Sequence, residues 1–130
     1  MSIAKIELVS PSRLRPTEET APTRVGEVIE LILDRQAWTQ PICVECNTLA
    51  VLDGHHRLNA AIQLGFARVP VQFFDYSTVQ LGSWRPEITP TRDDVLRRAL
   101  NGFLYPPKTT RHSFSPVENA IVNFRRLIHN

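Results

Sequence analysis

The sequence predicts an α+β domain, because segments with the residue spacing of strands are mixed with segments that have helical spacing, and two strands lie close enough to form a hairpin. A chain of 130 residues is the size of one ordinary domain, so residues 1–130 are expected to share one hydrophobic core. The hydrophobic content of 42% and the charged content of 22% are near globular averages, which argues against a disordered chain.

Four segments are predicted to be strands. Residues 3–9 alternate between apolar and polar side chains, which predicts the first strand. Residues 42–46 and 49–52 are short and apolar, and Asn47-Thr48 between them predicts a hairpin with a tight turn. Residues 69–74 predict a further strand that is buried on at least one face.

Four other segments are predicted to be helices. The first covers residues 23–37, with Thr23 as its cap, and its apolar face is Val25, Val28, Ile29, Ile32 and Leu33. The second follows Asp53-Gly54 and ends at Gly65, a residue that often ends helices. A third opens at Thr91 and ends near Gly102, and a fourth covers residues 116–128.

The overall charge excludes some classes of partner. Fifteen Lys and Arg against thirteen Asp and Glu leave a net charge of +2, which is too small to indicate a nucleic-acid partner. No apolar run approaches the roughly 18 residues of a membrane span, and the first residues lack the apolar centre of a signal peptide. We therefore expect no membrane partner and a cytoplasmic location, while the oligomeric state stays unknown.

Cys43 and Cys46 have the spacing of a redox motif or of half a zinc site. They lie in a predicted strand, where residues three apart point to opposite faces. A zinc site would also need two more ligands, which only His55 and His56 could supply. The two cysteines are therefore interpreted as packing or incidental thiols.

Residues 53–57, Asp-Gly-His-His-Arg, connect a predicted strand to a predicted helix. This geometry directs the free N–H groups and the positive dipole end of a helix at one point, where an anion such as phosphate fits. Gly54 permits the turn, and the side chains of His55, His56 and Arg57 add hydrogen-bond donors. Asp53 would repel phosphate unless a cation lay between them, so it is a candidate Mg²⁺ ligand. The alternative is a simple Asp-Gly turn with two surface histidines.

Residues 51–61, VLDGHHRLNAA, together with Leu64-Gly65 and Val69-Pro70-Val71, resemble the ParB/sulfiredoxin superfamily. Ser83-Trp84 and the string Lys-Thr-Thr-Arg-His at residues 108–112 are similar to its free L-serine kinase branch. The resemblance implies a small mixed sheet with packed helices. It also implies a shortened C-terminal part, residues 85–130, because residues 85–107 are fewer than the helical region that such kinases carry before this string.

The resemblance further implies an enzyme that transfers a phosphoryl group from ADP or ATP to the hydroxyl of free L-serine, with Mg²⁺. The implied catalytic residues are Glu19 as the base, Glu18 as the second candidate, Asp53 and His56. The implied nucleotide-phosphate ligands are Gly54, His55, His56 and Arg57. The implied serine contacts are Val25, Trp84, Lys108, Thr109, Thr110, Arg111 and His112.

Other interpretations of these residues stay open. Glu18 and Glu19 suit a solvated loop, Trp84 suits a core, and Phe103, Leu104 and Tyr105 suit an exposed apolar surface. A non-catalytic ParB-like nucleotide-binding regulator would keep the phosphate loop without a base. A sulfiredoxin-type reductase would need a cysteine where this chain has His55, and a DNA-binding protein would need a clear helix-turn-helix.

Overall fold

The computed structural model describes residues 6–114 and 121–128 of the chain. These residues form eight short strands and four helices: β1 (Ile6–Val9), α1 (Pro22–Arg35), β2 (Ala37–Trp38), β3 (Ile42–Glu45), β4 (Val51–Asp53), α2 (His55–Leu64), β5 (Val69–Phe74), β6 (Gln80–Ser83), α3 (Arg92–Asn101), β7 (Thr110–Ser113), β8 (Val122–Asn123) and α4 (Phe124–Ile128). None of the helices described is long and apolar enough to cross a membrane.

The main sheet has the strand order β1-β5-β3-β4. The pairs β1 with β5 and β3 with β4 are antiparallel, whereas β3 and β5 are parallel. The parallel pair needs a crossover, which α2 supplies, and the antiparallel pair β3 with β4 is the predicted hairpin. The predicted α+β class with a small mixed sheet is therefore confirmed. Residues 3–5 of the predicted first strand lie outside the described residues.

The hairpin turn is longer than predicted. Strand β3 ends at Glu45 and β4 begins at Val51, so the two strands do not meet at a two-residue turn. The buried Glu45 carboxylate stabilises the turn by accepting hydrogen bonds from the N–H groups of Asn47 and Thr48, at 2.9 and 2.7 Å. Leu49 takes a positive φ of 64°. A carboxylate at the strand end, which the sequence pattern did not reveal, therefore sets the turn.

Helix α1 begins and ends at different residues from those predicted. Ala21 is its N-cap and Pro22 its first residue, so Thr23 does not cap it. Proline suits this position because the first N–H groups of a helix have no partner within the helix. The helix ends before Ala37, because Ala37 and Trp38 form β2 and pair with Asn123 and Val122.

Two apolar clusters hold the fold together, one on each face of the sheet. Ile42 and Val44 belong to the cluster under α1 and α2, whereas Cys43 belongs to the cluster under α3, as the alternation of strand side chains requires. Cys43 is buried and Cys46 is exposed, and both are free thiols. Cys43 therefore packs in the apolar core, whereas Cys46 lies outside it.

The C-terminal part contains a two-stranded antiparallel sheet that was not predicted. Strand β6 pairs antiparallel with β7, and this pairing brings Thr110 opposite Ser83. Helix α3 has the predicted limits, with the Thr91 side chain accepting the N–H of Asp94 and Gly102 as its C-cap. Tyr105, expected on an exposed surface, is buried beneath α3.

The last helix is shorter than predicted within the described residues. Helix α4 begins at Phe124, and Val122 and Asn123 before it form β8 rather than helix. The pairing of β8 with β2 accounts for this difference. Residues 116–120 of the predicted helix lie outside the described residues.

Candidate functional site

One cavity of about 720 Å³ lies where the end of β4 and the N-terminus of α2 meet the start of α1 and the β6–β7 sheet. It collects residues from both ends of the chain. Its lining residues are Glu18, Ala21, Arg24, Val28, Leu52, Asp53, Gly54, His55, His56, Arg57, Trp84, Pro107, Lys108 and Thr110. Nine of these residues are ones that the sequence had singled out, so the predicted elements of the site do converge.

The N-terminus of α2 opens onto this cavity. Gly54 is the N-cap with a φ of 103°, and no side chain caps the helix. The first intrahelical bond runs from the N–H of Leu58 to the carbonyl of Gly54, at 2.9 Å. The N–H groups of residues 55–57 therefore have no partner within the helix, and together with the helix dipole they favour an anion in the cavity.

Gly54 cannot be replaced at this turn without strain. A Cβ atom at Gly54 would lie 3.3 Å from Cγ1 of Ile42, and the backbone already has a positive φ. We expect Gly54→Ala to lower the free energy of unfolding by about 2 kcal/mol, measured by urea denaturation. The control is Gly65→Ala at the other end of α2, where φ is 73° and a Cβ would meet no atom within 4 Å. Only the backbone cost of about 1 kcal/mol applies there, so an equal loss in the two variants would contradict the steric argument.

The two histidines of the phosphate loop accept hydrogen bonds through their Nε2 atoms. The Nε2 atom of His55 accepts the N–H groups of Thr17 and Glu18, at 3.0 and 3.2 Å. The Nε2 atom of His56 accepts the N–H of Ala21, at 3.1 Å. Both imidazoles therefore act as neutral acceptors through Nε2, with the proton on Nδ1. The Nε2 atoms are therefore not available as phosphate donors, because the backbone N–H groups of Thr17, Glu18 and Ala21 occupy them.

The surroundings keep both imidazoles neutral. Burial, and then the neighbouring His56, lowers the pKa of His55 to about 3. Burial, and then the positive charge of Arg24, also lowers the pKa of His56, and the negative charge of Glu18 opposes this shift. Desolvation disfavours the charged imidazolium, so each ring keeps its acceptor nitrogen at neutral pH.

Two arginines reach the cavity in different ways. The Arg57 guanidinium donates to the carbonyl of Pro41 at 3.1 Å and to Oε1 of Gln40 at 3.0 Å, which fixes it at one side of the cavity. Arg24 on the first turn of α1 lines the cavity and has an exposed ion pair with Glu27 at 3.5 Å. Sequence reasoning missed Arg24, because no motif marks it and its place in the cavity follows only from the folded structure.

The structure separates the two glutamates that were candidates for the base. Glu18 lines the cavity and is only 8% exposed, and its Oε2 atom accepts the N–H of Thr110 at 2.7 Å and also the Thr110 hydroxyl. Within residues 6–114 and 121–128, no group hydrogen-bonds to its other oxygen, Oε1. Glu19 is exposed and does not line the cavity, and its N–H donates to the carbonyl of Tyr105.

Residues after β6 and at the start of β7 form the opposite wall. Trp84 is 53% exposed, with Nζ of Lys108 5.4 Å and the Arg111 guanidinium 5.3 Å from its ring centre. These distances are typical of cation–π contacts. Trp84 is therefore a wall of the cavity rather than a core residue. Lys108 has a positive φ of 55°, a strained conformation for a side-chain-bearing residue that is common at functional sites.

Four residues implied as serine contacts, Val25, Thr109, Arg111 and His112, do not line the cavity. Val25 is 2% exposed and belongs to the core under α1. Thr109 is fully buried and donates its hydroxyl to the carbonyl of Pro106, at 2.7 Å. His112 lies behind the wall, with Nε2 2.7 Å from the Tyr76 hydroxyl, and burial lowers its pKa to about 4 although the Leu52 backbone and Glu18 oppose the shift.

Asp53 is exposed at the end of β4 and lines the cavity beside the N-terminus of α2. In the described part of the chain, no group of three His, Cys, Asp or Glu side chains is arranged to hold a metal ion. A site made only of protein ligands is therefore not present among these residues. A single carboxylate next to a phosphate site still suits Mg²⁺, which is often bound by one carboxylate together with substrate phosphates and water.

Comparison with known proteins gives two kinds of relative. A ParB-like protein of Sulfolobus acidocaldarius is 38% identical over 105 residues, which cover 79% of this chain and 51% of that protein. An ATP-dependent L-serine kinase of Staphylothermus marinus is 34% identical over 87 residues, which cover 62% of this chain and 34% of that protein. The chain is a homologue of these proteins. No protein-family model matches it.

A free serine kinase solved in complex with AMP has the same fold as this chain. The TM-score is 0.85 at 16% identity, and the match covers 97% of this chain and 95% of that chain. The resemblance found in the sequence is thus confirmed as a similarity to these proteins, and the fold is confirmed. The chain spans about half the length of the ParB-like relative and about a third of the kinase from Staphylothermus marinus.

Proposed function

We propose that this protein is a nucleotide-dependent kinase that phosphorylates the hydroxyl of free L-serine to give O-phospho-L-serine. The observation that carries the proposal is that the Glu18 carboxylate and the N-terminus of α2 open onto one cavity. A base and a phosphate-binding helix end are the two parts that phosphoryl transfer to a hydroxyl needs in one place. The proposal agrees with the L-serine kinases among the relatives of this chain.

The nucleotide phosphates bind at the N-terminus of α2. The N–H groups of residues 55–57 donate to phosphate oxygens, Gly54 lets the backbone approach, and Arg24 and Arg57 add positive charge. The donor is ATP or ADP. Solved structures of free serine kinases hold AMP or ADP, and two related kinases are described as ATP-dependent, which supports a nucleotide at this site.

Glu18 is the base. Thr110 holds one carboxylate oxygen, and Oε1 takes the proton of the serine hydroxyl as the serine oxygen bonds to the terminal phosphorus and the bond to the leaving nucleotide oxygen breaks. A carboxylate suffices for this step because, in a loose transition state, the proton can leave late. Glu19, which the family resemblance placed first, points away from the cavity and is not proposed as the base.

Free serine is held by charge on the opposite wall. Its carboxylate is attracted by the ammonium of Lys108, which lines the cavity and lies against Trp84. The indole face of Trp84 closes this side and excludes water. The wall comes from the C-terminal part of the chain and the phosphate end of α2 from the N-terminal half, so we propose that residues 1–130 act as a single domain with a shortened C-terminal part.

The residues present fit a Mg²⁺ ion. Asp53 would hold it together with the nucleotide phosphates, and when bound it would supply positive charge that neutralises the phosphate oxygens. The Asp53 carboxylate would otherwise repel the phosphates at the nearby N-terminus of α2. The role of Asp53 is therefore to supply the carboxylate that a divalent cation would need at this corner of the cavity.

The second candidate function is a nucleotide-binding regulator without kinase activity. The 38% identity to a ParB-like protein supports it. In such a protein the phosphate end of α2 would be used and Glu18 would be dispensable.

The two functions are separated by incubating the purified protein with L-serine, Mg²⁺ and ATP or ADP. The kinase proposal expects O-phospho-L-serine, detected by mass spectrometry, and a matching loss of the nucleotide donor. L-Threonine and L-homoserine serve as parallel acceptors that test the hydroxy amino acid. Tight nucleotide binding with no phosphoserine under any of these conditions would refute the kinase and support the regulator.

A further inference from the structure

Helix α2 makes side-chain hydrogen bonds to the segment of residues 17–21, which we call the Glu18 loop. The Nε2 atom of His55 accepts the N–H groups of Thr17 and Glu18, and the Nε2 atom of His56 accepts that of Ala21. Asn59, one turn further along α2, donates to the hydroxyl of Thr20 at 2.7 Å. The loop therefore rests against the same helix whose N-terminus faces the cavity.

The other side of the Glu18 loop is held by backbone groups. The N–H of Tyr105 donates to the carbonyl of Thr17 at 2.9 Å, and the N–H of Glu19 donates to the carbonyl of Tyr105 at 2.8 Å. Glu18 lies between these two bonds, and its own N–H is directed to His55 instead. The backbone at Glu18 is thus held by Tyr105 on one side and by His55 on the other, and Thr110 holds its carboxylate.

We propose that His55 and His56 are positioning residues, which set the distance between the base Glu18 and the phosphate-binding end of α2 through their imidazole acceptors. The same two residues contribute backbone N–H groups to the helix end and ring nitrogens to the loop. One pair of side chains therefore fixes both halves of the site relative to each other. Because reacting groups must meet within a narrow range of distances, this coupling affects the rate of transfer more than it affects the binding of nucleotide.

The side chain at position 55 must supply a hydrogen-bond acceptor. The N–H groups of Thr17 and Glu18 are buried, and a buried donor without an acceptor costs free energy. A neutral imidazole provides one acceptor nitrogen, whereas a lysine or arginine in its place would provide none. Residues 17–21 belong to no helix or strand. Side chains must therefore supply the hydrogen-bond acceptors that a neighbouring strand would supply in a sheet.

The inference is tested with a matched pair of substitutions. His55→Gln keeps an acceptor oxygen near the place of Nε2, whereas His55→Asn is polar but too short to reach the loop. We expect His55→Asn to lower the turnover number by about 100-fold, since a shift of about 1 Å in the base costs that much. The dissociation constant of the nucleotide should change by less than about threefold, and His55→Gln should recover most of the turnover.

Hydrogen–deuterium exchange gives a second measurement that does not depend on catalysis. A peptide covering the Glu18 loop should exchange faster in His55→Asn than in the wild type, and His55→Gln should restore protection. This measurement still tests the positioning role if the protein phosphorylates no serine, so failure of the proposed function is distinguishable from failure of this inference.

Two results would overturn the inference. Equal losses of nucleotide affinity and turnover in both variants would make the imidazole a direct phosphate ligand. Unchanged exchange in the Glu18 loop would remove the positioning role. If His55→Asn does not fold, the pair His56→Gln and His56→Asn at the half-buried neighbouring position is measured against the same two criteria.

Discussion

Glu18→Gln is expected to lower the rate of serine phosphorylation by about 10²- to 10⁴-fold, the usual contribution of a positioned general base. The glutamine amide oxygen can still accept from Thr110, so the loop and the cavity keep their shape. What is lost is the carboxylate that takes the proton of the serine hydroxyl. Initial rates of O-phospho-L-serine formation at saturating serine and nucleotide measure this loss, and nucleotide affinity, measured by calorimetry, should stay close to that of the wild type.

The neighbouring Glu19 provides the matched control. Its side chain is exposed and lies outside the cavity, so Glu19→Gln removes the same charge one residue away without touching the site. We expect its rate to stay within about threefold of the wild type. The opposite result, in which Glu19→Gln is inactive and Glu18→Gln is active, would restore the assignment implied by the family resemblance and contradict the geometry described above.

The features of the fold that the sequence predicted correctly depend on local chemistry. The end of α2 at Gly65 and both ends of α3, at Thr91 and Gly102, follow from residue types that act on their own backbone. The hairpin of β3 and β4 followed from two short apolar segments in succession. Strand β7 was missed because it forms by pairing with β6, about thirty positions away in the chain. Residues 110–113 also show no alternation of apolar and polar side chains.

The functional site was likewise predicted where its signals are local and missed where they depend on residues distant in the chain. The position of Gly54 between a strand and a helix was visible in the sequence, and so was the anion-binding end of α2. The choice between Glu18 and Glu19 was not, because it depends on the pairing of the loop with Tyr105, which comes from the far end of the domain. The roles of His55 and His56 were also hidden, since a histidine that accepts a backbone N–H has the same sequence signature as one that donates to phosphate.

Acidification is expected to destabilise the protein strongly through two buried imidazoles. Burial lowers the pKa of His55 from 6.5 to about 3 and that of His112 from 6.5 to about 4. Below pH 6.5 the unfolded chain binds protons at these positions and the folded chain does not, so the free energy of unfolding falls as the pH falls. The full contribution is present above pH 6.5, and the loss is complete only below about pH 3 for His55 and about pH 4 for His112.

Between pH 7 and pH 4, each imidazole should remove about 3 kcal/mol from the free energy of unfolding, given about 1.4 kcal/mol per pKa unit. Urea unfolding at pH 7, 5.5 and 4 measures the slope. Carboxylates such as Glu45, whose hydrogen bonds to Asn47 and Thr48 outweigh burial and lower its pKa, change stability in the same direction, so the wild type alone cannot assign the cause.

The variants His55→Gln and His112→Gln identify the part of the pH-dependent loss of stability that comes from each imidazole. Glutamine does not titrate, and the carboxylates stay the same in both variants. Each variant is expected to be less stable than the wild type at pH 7, since a hydrogen bond to the Glu18 loop or to Tyr76 is altered. Each should nevertheless lose less stability on acidification, so that its curve approaches that of the wild type near pH 4. Parallel curves over the whole range would show that neither ring is held neutral by the fold. The same outcome would also mean that burial does not explain why the His55 ring acts as a neutral acceptor beside Glu18.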